Sequence, residues 1–154
     1  MASSWRSGVA LLAVGVATAC GGVAPVGGSG DERPTGSWVL TEGEHGGAEV
    51  PLVDGHDITL TIEDDSWGGT AACNSYGATV TVDGDRLEIT ELSQTEMACV
   101  NGGVMESEAA YLAAFAAVER YVEDGDHLVL EGDAAHLRYE ELPPEPEAAP
   151  AGGR

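Results

Sequence analysis

Apolar and polar residues alternate along several short stretches in the middle and at the end of the chain. The alternating apolar positions are Ile58, Leu60 and Ile62; Val80 and Val82; Leu87 and Ile89; Leu128 and Leu130; and Leu137 and Tyr139. Because successive side chains of a strand point to opposite faces, this period of two predicts half-buried antiparallel strands. A first strand is expected around Trp38. Residues 67–72 are rich enough in glycine to predict a bulged or closely approached strand.

Turn residues separate these stretches at two places. Asp-Gly-Asp at 83–85 and Glu-Gly-Asp at 131–133 each join two alternating runs, which predicts two β-hairpins. One segment has a different period. From about residue 105 to residue 121 apolar residues recur every three or four positions in an alanine-rich background, which predicts a single amphipathic helix. Its apolar positions are Leu112, Phe115, Val118 and Val122.

Charges near the ends of this segment agree with a helix. Glu106 and Glu108 fall in the predicted first turn, Arg120 in the last, and Gly125 supplies a stop. Together the elements predict an α+β domain over residues 36–141. Its expected form is an antiparallel, incompletely closed β-barrel or curled sheet with one amphipathic α-helix packed on it. This length suits one small domain and is too short for two.

The N-terminal residues have the pattern of an export signal. Arg6 is followed by an apolar run at 8–17 that is too short to span a bilayer comfortably. Val-Ala-Thr-Ala-Cys at 16–20 resembles a bacterial lipobox, in which small residues precede a cysteine that is diacylated. We therefore expect a signal peptide at 1–19 and lipid attachment at Cys20. The alternative is cleavage near Ala19 by an ordinary signal peptidase, which would give a secreted protein.

The segments that flank the predicted domain differ from it in composition. Residues 20–35 are rich in Gly, Pro, Ser and Val and predict a lipidated N-terminus with a flexible tether. Residues 142–154 are rich in Pro, Glu and Ala and predict a disordered tail. Both predictions suit a domain that is anchored at one end.

The chain is strongly acidic, with 27 Asp and Glu residues against six basic residues, all of them arginine. Nucleic acid is excluded as a partner because neutralising phosphates needs clustered basic residues. Electrostatic attachment to anionic lipid is disfavoured for the same reason. General solubility explains the acidity better than a cationic ligand does.

Five blocks of the chain, in order, resemble the META domain, the family that includes the HslJ-like envelope proteins of bacteria. The blocks lie at 36–40 (GSWVL), 69–76 (GTAACNSY), 95–99 (TEMAC), 108–112 (EAAYL) and 125–130 (GDHLVL). The resemblance implies an antiparallel sheet with a helix and a family without an established enzymatic activity. Family names point towards heat shock and envelope stress. The usual Gly-Cys-Asn of the family is Ala72-Cys73-Asn74 here, which would be uncomfortable if Ala72 needed a positive φ.

Cys73 and Cys99 form an even pair within the body of a domain predicted to be exported, which predicts a structural disulfide in an oxidising compartment. The alternative is a reactive Cys73 beside a histidine, as in thiol hydrolases. That alternative is disfavoured because none of the four histidines lies in a recognisable nucleophile motif. They are His45, His56, His127 and His136. Pairing would also consume the thiol.

Polar residues next to these cysteines form a possible motif surface made of Asn74, Ser75, Tyr76, Thr95 and Met97. An asparagine beside a turn and a tyrosine at a rim usually have architectural roles, and this reading is preferred. The segments 54–57 and 123–127 combine acidic residues with a histidine. They lack the spacing of calcium loops and the paired histidines of zinc sites, so solvated turns are expected and no metal or cofactor is predicted. The acidic run at 63–65 is likewise expected to be a turn.

Three functional classes remain open. The first is a non-catalytic envelope lipoprotein that acts as a binding or assembly module, with an unknown envelope protein or a hydrophobic small ligand as its partner. The second is a protective stress protein without a defined pocket, and the third is a small hydrolase that uses an acidic pair. The sequence favours them in that order, and no catalytic residue is predicted. The membrane is expected as a partner only through the lipid on Cys20.

Overall fold

The computed structural model describes residues 33–100 and 102–143. The predicted signal peptide, Cys20, most of the predicted tether and most of the predicted tail lie outside these residues. Within the described residues there are nine strands and one helix. In chain order they are β1 Gly36–His45, β2 Ala48–Glu49, β3 Thr59–Glu63, β4 Ser66–Ala71, β5 Asn74–Asp83, β6 Arg86–Gln94, α1 Val104–Phe115, β7 Arg120–Asp124, β8 His127–Glu131 and β9 Ala135–Glu141.

Eight of the strands form a closed antiparallel barrel. β1 is followed around the ring by β3 to β9 in sequence order, and β9 pairs with β1 to close it. The two-residue β2 pairs only with the end of β1, within the part of the chain that the structure describes. The antiparallel sheet is confirmed, whereas the prediction of an incompletely closed barrel or curled sheet is wrong. The ring closes because the ten-residue β1 uses both of its edges, one for β3 and one for β9.

The inward-facing residues of the strands fill the barrel. Trp38 and Trp67 are almost fully buried, together with leucines that include Leu60 and Leu128. Fully burying one such leucine stabilises the fold by about 1.5 to 3 kcal/mol relative to leaving it exposed. The alternating runs identified in the sequence therefore provide the core, and both predicted hairpins are present, as β5–β6 and β8–β9.

The glycine-rich segment is β4, and two of its glycines are packed tightly against neighbouring backbone. A Cβ on Gly69 would lie 2.2 Å from the carbonyl oxygen of Thr59, and one on Gly68 would lie 2.6 Å from that of Tyr76. Neither position has room for a side chain. The predicted close approach of backbones is therefore confirmed.

The helix is shorter than predicted. It ends at Phe115, and the residues expected in its last turn and beyond belong to β7 and to the β7–β8 turn. The chain leaves the helix because Glu119 bonds to two strands: its N–H donates to Glu131 at 2.7 Å and its carbonyl accepts from Leu87 at 2.8 Å. Arg120 and Gly125 are thus not helix-terminal residues.

The buried face of α1 is not uniformly apolar. Ser107 and Glu108 are buried beside Val104, Tyr111 and Phe115. The predicted amphipathic character is therefore not confirmed, and Glu108 is a buried residue beyond the first turn, whereas a place in the first turn was predicted. No helix in the described ranges is both long enough and apolar enough to cross a membrane.

Candidate functional site

The predicted disulfide is present and ties the start of β5 to the loop between β6 and α1. Cys73 and Cys99 are bonded, with their Cα atoms 6.0 Å apart and a sequence separation of 26. Because the bond occupies the sulfur of Cys73, this cysteine offers no thiolate in the structure. The ring nitrogen Nδ1 of His56 lies 3.2 Å from the carbonyl oxygen of Ala72, the residue before Cys73.

Asn74, the first residue of β5, is buried with only 1% of its surface exposed. Its Oδ1 accepts hydrogen bonds from the Thr95 hydroxyl at 2.8 Å and from the Met97 N–H at 2.7 Å. Its Nδ2 donates to the Met97 carbonyl at 3.0 Å and to Oε1 of Glu108 at 2.9 Å. All four hydrogen-bonding positions of the amide are therefore filled within the protein. Asn74 fixes the loop after β6 against the helix.

Glu108 completes this arrangement from the helix side. It is 2% exposed, and its second oxygen, Oε2, accepts from the backbone N–H of Asn74 at 2.7 Å. A buried carboxylate is costly unless it is hydrogen-bonded, and both of its oxygens are. Sequence reasoning missed this partner. Two signals could have found it: its position three residues before Tyr111 on one helix face, and its place in a block that resembles the META domain.

The remaining residues of the predicted motif surface divide between the surface and the core. Ser75, Thr95 and Met97 are exposed, and the first two bond to each other through a 3.2 Å contact from the Ser75 N–H to the Thr95 hydroxyl. Tyr76 points inward and is buried. The five residues of the predicted motif surface therefore do not share one exposed face, because two of them are buried.

Tyr76 is one end of a hydrogen-bonded chain of buried tyrosines. Its hydroxyl donates to the Thr59 carbonyl at 3.0 Å and lies 2.5 Å from the Tyr111 hydroxyl, which lies 3.1 Å from that of Tyr139. Because each hydroxyl has a single proton, Tyr139 donates to Tyr111 and Tyr111 to Tyr76. Burial raises the pKa of all three hydroxyls above the usual 10.0. The tyrosines anchor α1 in the barrel.

Ala72, the residue before Cys73, has the positive φ that would be unfavourable for an alanine. Ala72 has a φ of 65°. An alanine in the left-handed region is strained, and glycine is the residue that adopts it freely. The substitution of alanine for the usual glycine of the family therefore falls on a position where it has an energetic cost.

A groove lies on the surface next to the Asn74–Glu108 pair. It runs between the second half of β6 and helix α1 and has a volume of about 460 Å³, within the range of typical ligand sites. We refer to it as the β6–α1 groove. Its walls are Leu92, Ser93, Gln94, Met105, Glu108, Ala109 and Leu112.

One wall of this groove is an edge of the sheet. β6 is paired along its length with β5, but its other edge pairs with β7 at a single position, Arg86 with Arg120. Two further backbone bonds extend that seam, from Leu87 to Glu119 at 2.8 Å and from Tyr121 to Asp85 at 2.9 Å. Among the described residues, the second edge of β6 has no strand partner after Leu87.

Exposed apolar residues cluster around the same end of β6. Met105 is 41% exposed in the groove wall, and Met97 and Val100 in the adjoining loop are 59% and 97% exposed. Large exposed apolar residues that are grouped indicate an interaction surface more often than isolated ones do.

The segments considered for metal binding are turns. Residues 123–127 form the β7–β8 hairpin, and residues 54–57 lie in the connection between β2 and β3. The run at 63–65 is the turn between β3 and β4. In the part of the chain that the structure describes, no group of three or more His, Cys, Asp or Glu side chains is arranged to hold a metal ion.

Comparisons with known proteins agree with this architecture. The META domain family profile matches residues 32–142. A protein from Burkholderia xenovorans solved by NMR is 28% identical, with a TM-score of 0.59 over 70% of this chain and 82% of that one. A second protein solved by NMR is 16% identical, with a TM-score of 0.53 over 70% of this chain and 89% of that one, and shares the fold. No curated protein matches the chain.

Proposed function

The chain belongs to the META domain family, and on that premise we propose that it is a non-catalytic, HslJ-like lipoprotein of the bacterial envelope. In this proposal it acts as a binding module that takes a segment of another envelope protein into the β6–α1 groove. The observation that carries the proposal is the unpaired edge of β6 beside an apolar groove. A role in envelope or heat stress is compatible with such a module.

The groove has the construction expected of a binding site. Natural sheets usually pair, cover or blunt their edges, because an open edge can recruit other chains. Among the described residues, the junction of β6 with β7 is the one in the ring that pairs at a single position, and its β6 side lies beside α1 across the groove. The Asn74–Glu108 pair and the disulfide fix both walls, so the groove is formed before a ligand arrives. Such preorganisation lowers the entropic cost of binding.

A non-catalytic role is supported by how the polar residues near the groove are used. Both oxygens of Glu108 accept hydrogen bonds from Asn74, and every hydrogen-bonding position of the Asn74 amide is filled. Neither side chain is available to exchange a proton with a substrate in this arrangement. A protective protein without a defined pocket would have no need of a fixed groove.

Lipid anchoring at Cys20 is part of the proposal. Sixteen positions separate Cys20 from the start of β1, and a flexible tether of that length has a root-mean-square span of about 20 to 24 Å. The domain would thus stay close to the membrane surface. The disulfide supports an exported location because such bonds persist in oxidising compartments.

Anchoring is tested by expressing the full chain in a host that processes lipoproteins and feeding it a radiolabelled fatty acid. The wild-type protein should carry the label and fractionate with membranes, and the Cys20→Ser variant should carry none. A soluble, unlabelled wild-type protein cleaved near residue 19 would contradict the anchoring and favour the secreted form.

Partner binding is tested by placing a photo-crosslinking amino acid at Leu92 in the groove or at Thr81 on the exposed face of β5. Crosslinking is carried out in intact cells, and adducts are mapped by mass spectrometry. Leu92 should crosslink to one contiguous segment of one envelope protein, whereas Thr81 should not. Equal crosslinking from both positions, or none from Leu92, would contradict a specific groove.

A further inference from the structure

We propose that the occupant of the β6–α1 groove is an extended segment rich in lysine or arginine, which adds to the free edge of β6 as a further antiparallel or parallel strand. This inference rests on the proposed function and specifies the chemistry of the partner. It makes the backbone of β6, rather than a side-chain pocket alone, the main recognition element.

The backbone groups that such a strand needs point away from β5. The Leu87 N–H donates outward to Glu119. Because the direction of backbone groups alternates along a strand, the N–H and C=O of Ile89 point outward as well. The Thr95 N–H donates to Ser75 on the β5 side, so the groups of Gln94, one residue earlier, also point outward. Within the described residues, the outward groups of Ile89 and Gln94 have no backbone partner.

The groove also provides a place for one side chain of the added strand. Leu92 on β6 and Met105 and Leu112 on α1 give it apolar walls. Successive side chains of an extended segment point to opposite faces. One set of alternate side chains would therefore face this apolar surface, and the other set would face solvent. Methionine is flexible enough to fit side chains of different shapes. The occupant is therefore expected to alternate apolar and basic residues.

The negative charge around the groove favours a positively charged partner. Glu88 and Glu91 lie on β6, Glu96 follows in the loop, and Glu106 is in the first turn of α1; all four are exposed. The arginine at the paired end of β6, Arg86, lies at the opposite end of the strand. Exposed charge pairs contribute little to affinity, so this acidic rim affects association rate and specificity more than affinity.

The same charges argue against a second copy of this chain as the occupant. Pairing two β6 edges would put two copies of this acidic strand, each with an exposed Glu88, side by side in one sheet. Like charges directly opposite one another in a sheet are destabilising. The chain as a whole has a formal net charge of −21, which adds long-range repulsion between copies. A cationic segment of a different protein meets neither obstacle.

The test uses the ¹⁵N-labelled mature chain with the Cys20→Ser substitution and three synthetic octapeptides. The first alternates lysine with valine, the second has the same sequence with every backbone nitrogen methylated, and the third has glutamate in place of lysine. Affinity and the exchange rates of the Ile89 and Gln94 amides are measured by NMR at low and at physiological salt.

The lysine peptide should bind, slow the exchange of both amides, and lose affinity as salt is raised. The methylated peptide should bind at least tenfold more weakly because it lacks backbone donors on both edges, and the glutamate peptide should not bind. Equal binding of the methylated peptide without protection of the two amides would overturn strand addition. Equal binding of the glutamate peptide, or the absence of binding by the lysine peptide, would overturn the basic partner.

The peptide experiment tests the chemistry of the partner, whereas the crosslinking experiment tests whether the groove binds a partner at all. If the peptides fail while Leu92 still crosslinks to one segment in cells, the groove remains a binding site and only the inferred chemistry of its partner is wrong. If the crosslinking fails as well, the proposed function itself is contradicted.

Discussion

The pairing of Asn74 with Glu108 shows how two polar side chains can be buried at the edge of an apolar core. Asn74 binds the loop after β6 through Met97 and the helix through Glu108, so one amide connects three segments of the chain. Hydrogen bonds to a charged group contribute about 1.5 to 3 kcal/mol each. The arrangement therefore fixes the walls of the groove more firmly than apolar contacts alone would.

We expect Glu108→Ala to lower the free energy of unfolding by about 2 to 3 kcal/mol, because it leaves the buried N–H of Asn74 without a partner. The matched control is Glu106→Ala, two positions away on the exposed side of the same helix, which should change stability by less than about 0.5 kcal/mol. Urea unfolding of both variants measures the difference. Equal effects would mean that the Asn74–Glu108 pair adds no stability.

Backbone strain at single residues gives a second prediction. Asp64, in the turn between β3 and β4, has a φ of 52°, whereas its neighbour Asp65 does not have a positive φ. Asp64→Gly should therefore raise the free energy of unfolding by about 0.5 to 1 kcal/mol. Asp65→Gly should lower it slightly, because it only adds freedom to the unfolded chain. Thermal unfolding distinguishes them, and stabilisation by both variants would argue against relief of strain.

At the residue level the sequence was informative about covalent chemistry and less so about buried polar contacts. The disulfide followed from an even pair of cysteines in a domain that the sequence predicts to be exported. The role of Glu108 did not follow, because a glutamate near a helix start has a sufficient explanation in the helix dipole. Its actual role depends on Asn74, 34 positions earlier, which no local pattern reveals.

At the level of elements, local turn chemistry was the most reliable guide. Both hairpins were predicted from Gly-containing turns, and both are present. The helix was predicted too long because Val118 and Val122 continue its apolar spacing. Val122 lies in β7 instead and Val118 in the connection before it, where Glu119 gains backbone partners on two strands. Long-range pairing outweighed a local period, as is usual when intrinsic helix preference is weak.

The loop that joins β6 to α1 gives a prediction at this scale. The disulfide between Cys73 and Cys99 closes a loop of 26 residues, which stabilises the fold by about 3 to 4 kcal/mol in the chain-entropy model. The double variant Cys73→Ser, Cys99→Ser should lose that amount in urea unfolding. In this variant the hydrogen bonds between Asn74 and Met97 should keep the β6–α1 loop in place, so the amide spectrum of β6 should change little. A widely altered β6 spectrum would show that the disulfide alone positions the loop.

At the scale of the whole molecule, closure of the barrel was the feature that the sequence could not supply. The closing pair joins Trp38 in β1 to Glu141 in β9, more than a hundred positions apart. Alternation of apolar and polar residues predicts strands and buried faces, but it does not say which strands are neighbours. An open curled sheet and a closed barrel have the same pattern along each strand.

The buried tyrosines predict how the whole fold responds to alkali. Burial raises the pKa of Tyr76, Tyr111 and Tyr139 above the usual 10.0, so the folded state retains their protons when the unfolded state would release them. Their contribution is complete below pH 10 and is lost as the pH rises towards the folded pKa values. Above pH 10 stability should fall by roughly 4 kcal/mol per pH unit for the three together. The barrel should then unfold cooperatively.

Tyrosinate absorbance and near-ultraviolet circular dichroism, recorded together against pH, check this expectation. The partly exposed Tyr121 also has a raised pKa, through its burial and the nearby carboxylates, and should ionise without unfolding. Tyr121→Phe should remove that early phase and leave the cooperative one. Gradual ionisation of all four tyrosines with the fold intact would contradict a sealed tyrosine chain.

The claim on which the binding proposals depend is that the second edge of β6 is open in the free protein. Amide hydrogen exchange of the mature chain tests it most directly. Glu88 and Thr90, whose amides face β5, should be protected, as should Leu87, which donates to Glu119. Ile89 and Gln94 should exchange at close to the rate of an unstructured chain. Protection of Ile89 equal to that of Glu88 would show that the edge is covered and would contradict the account.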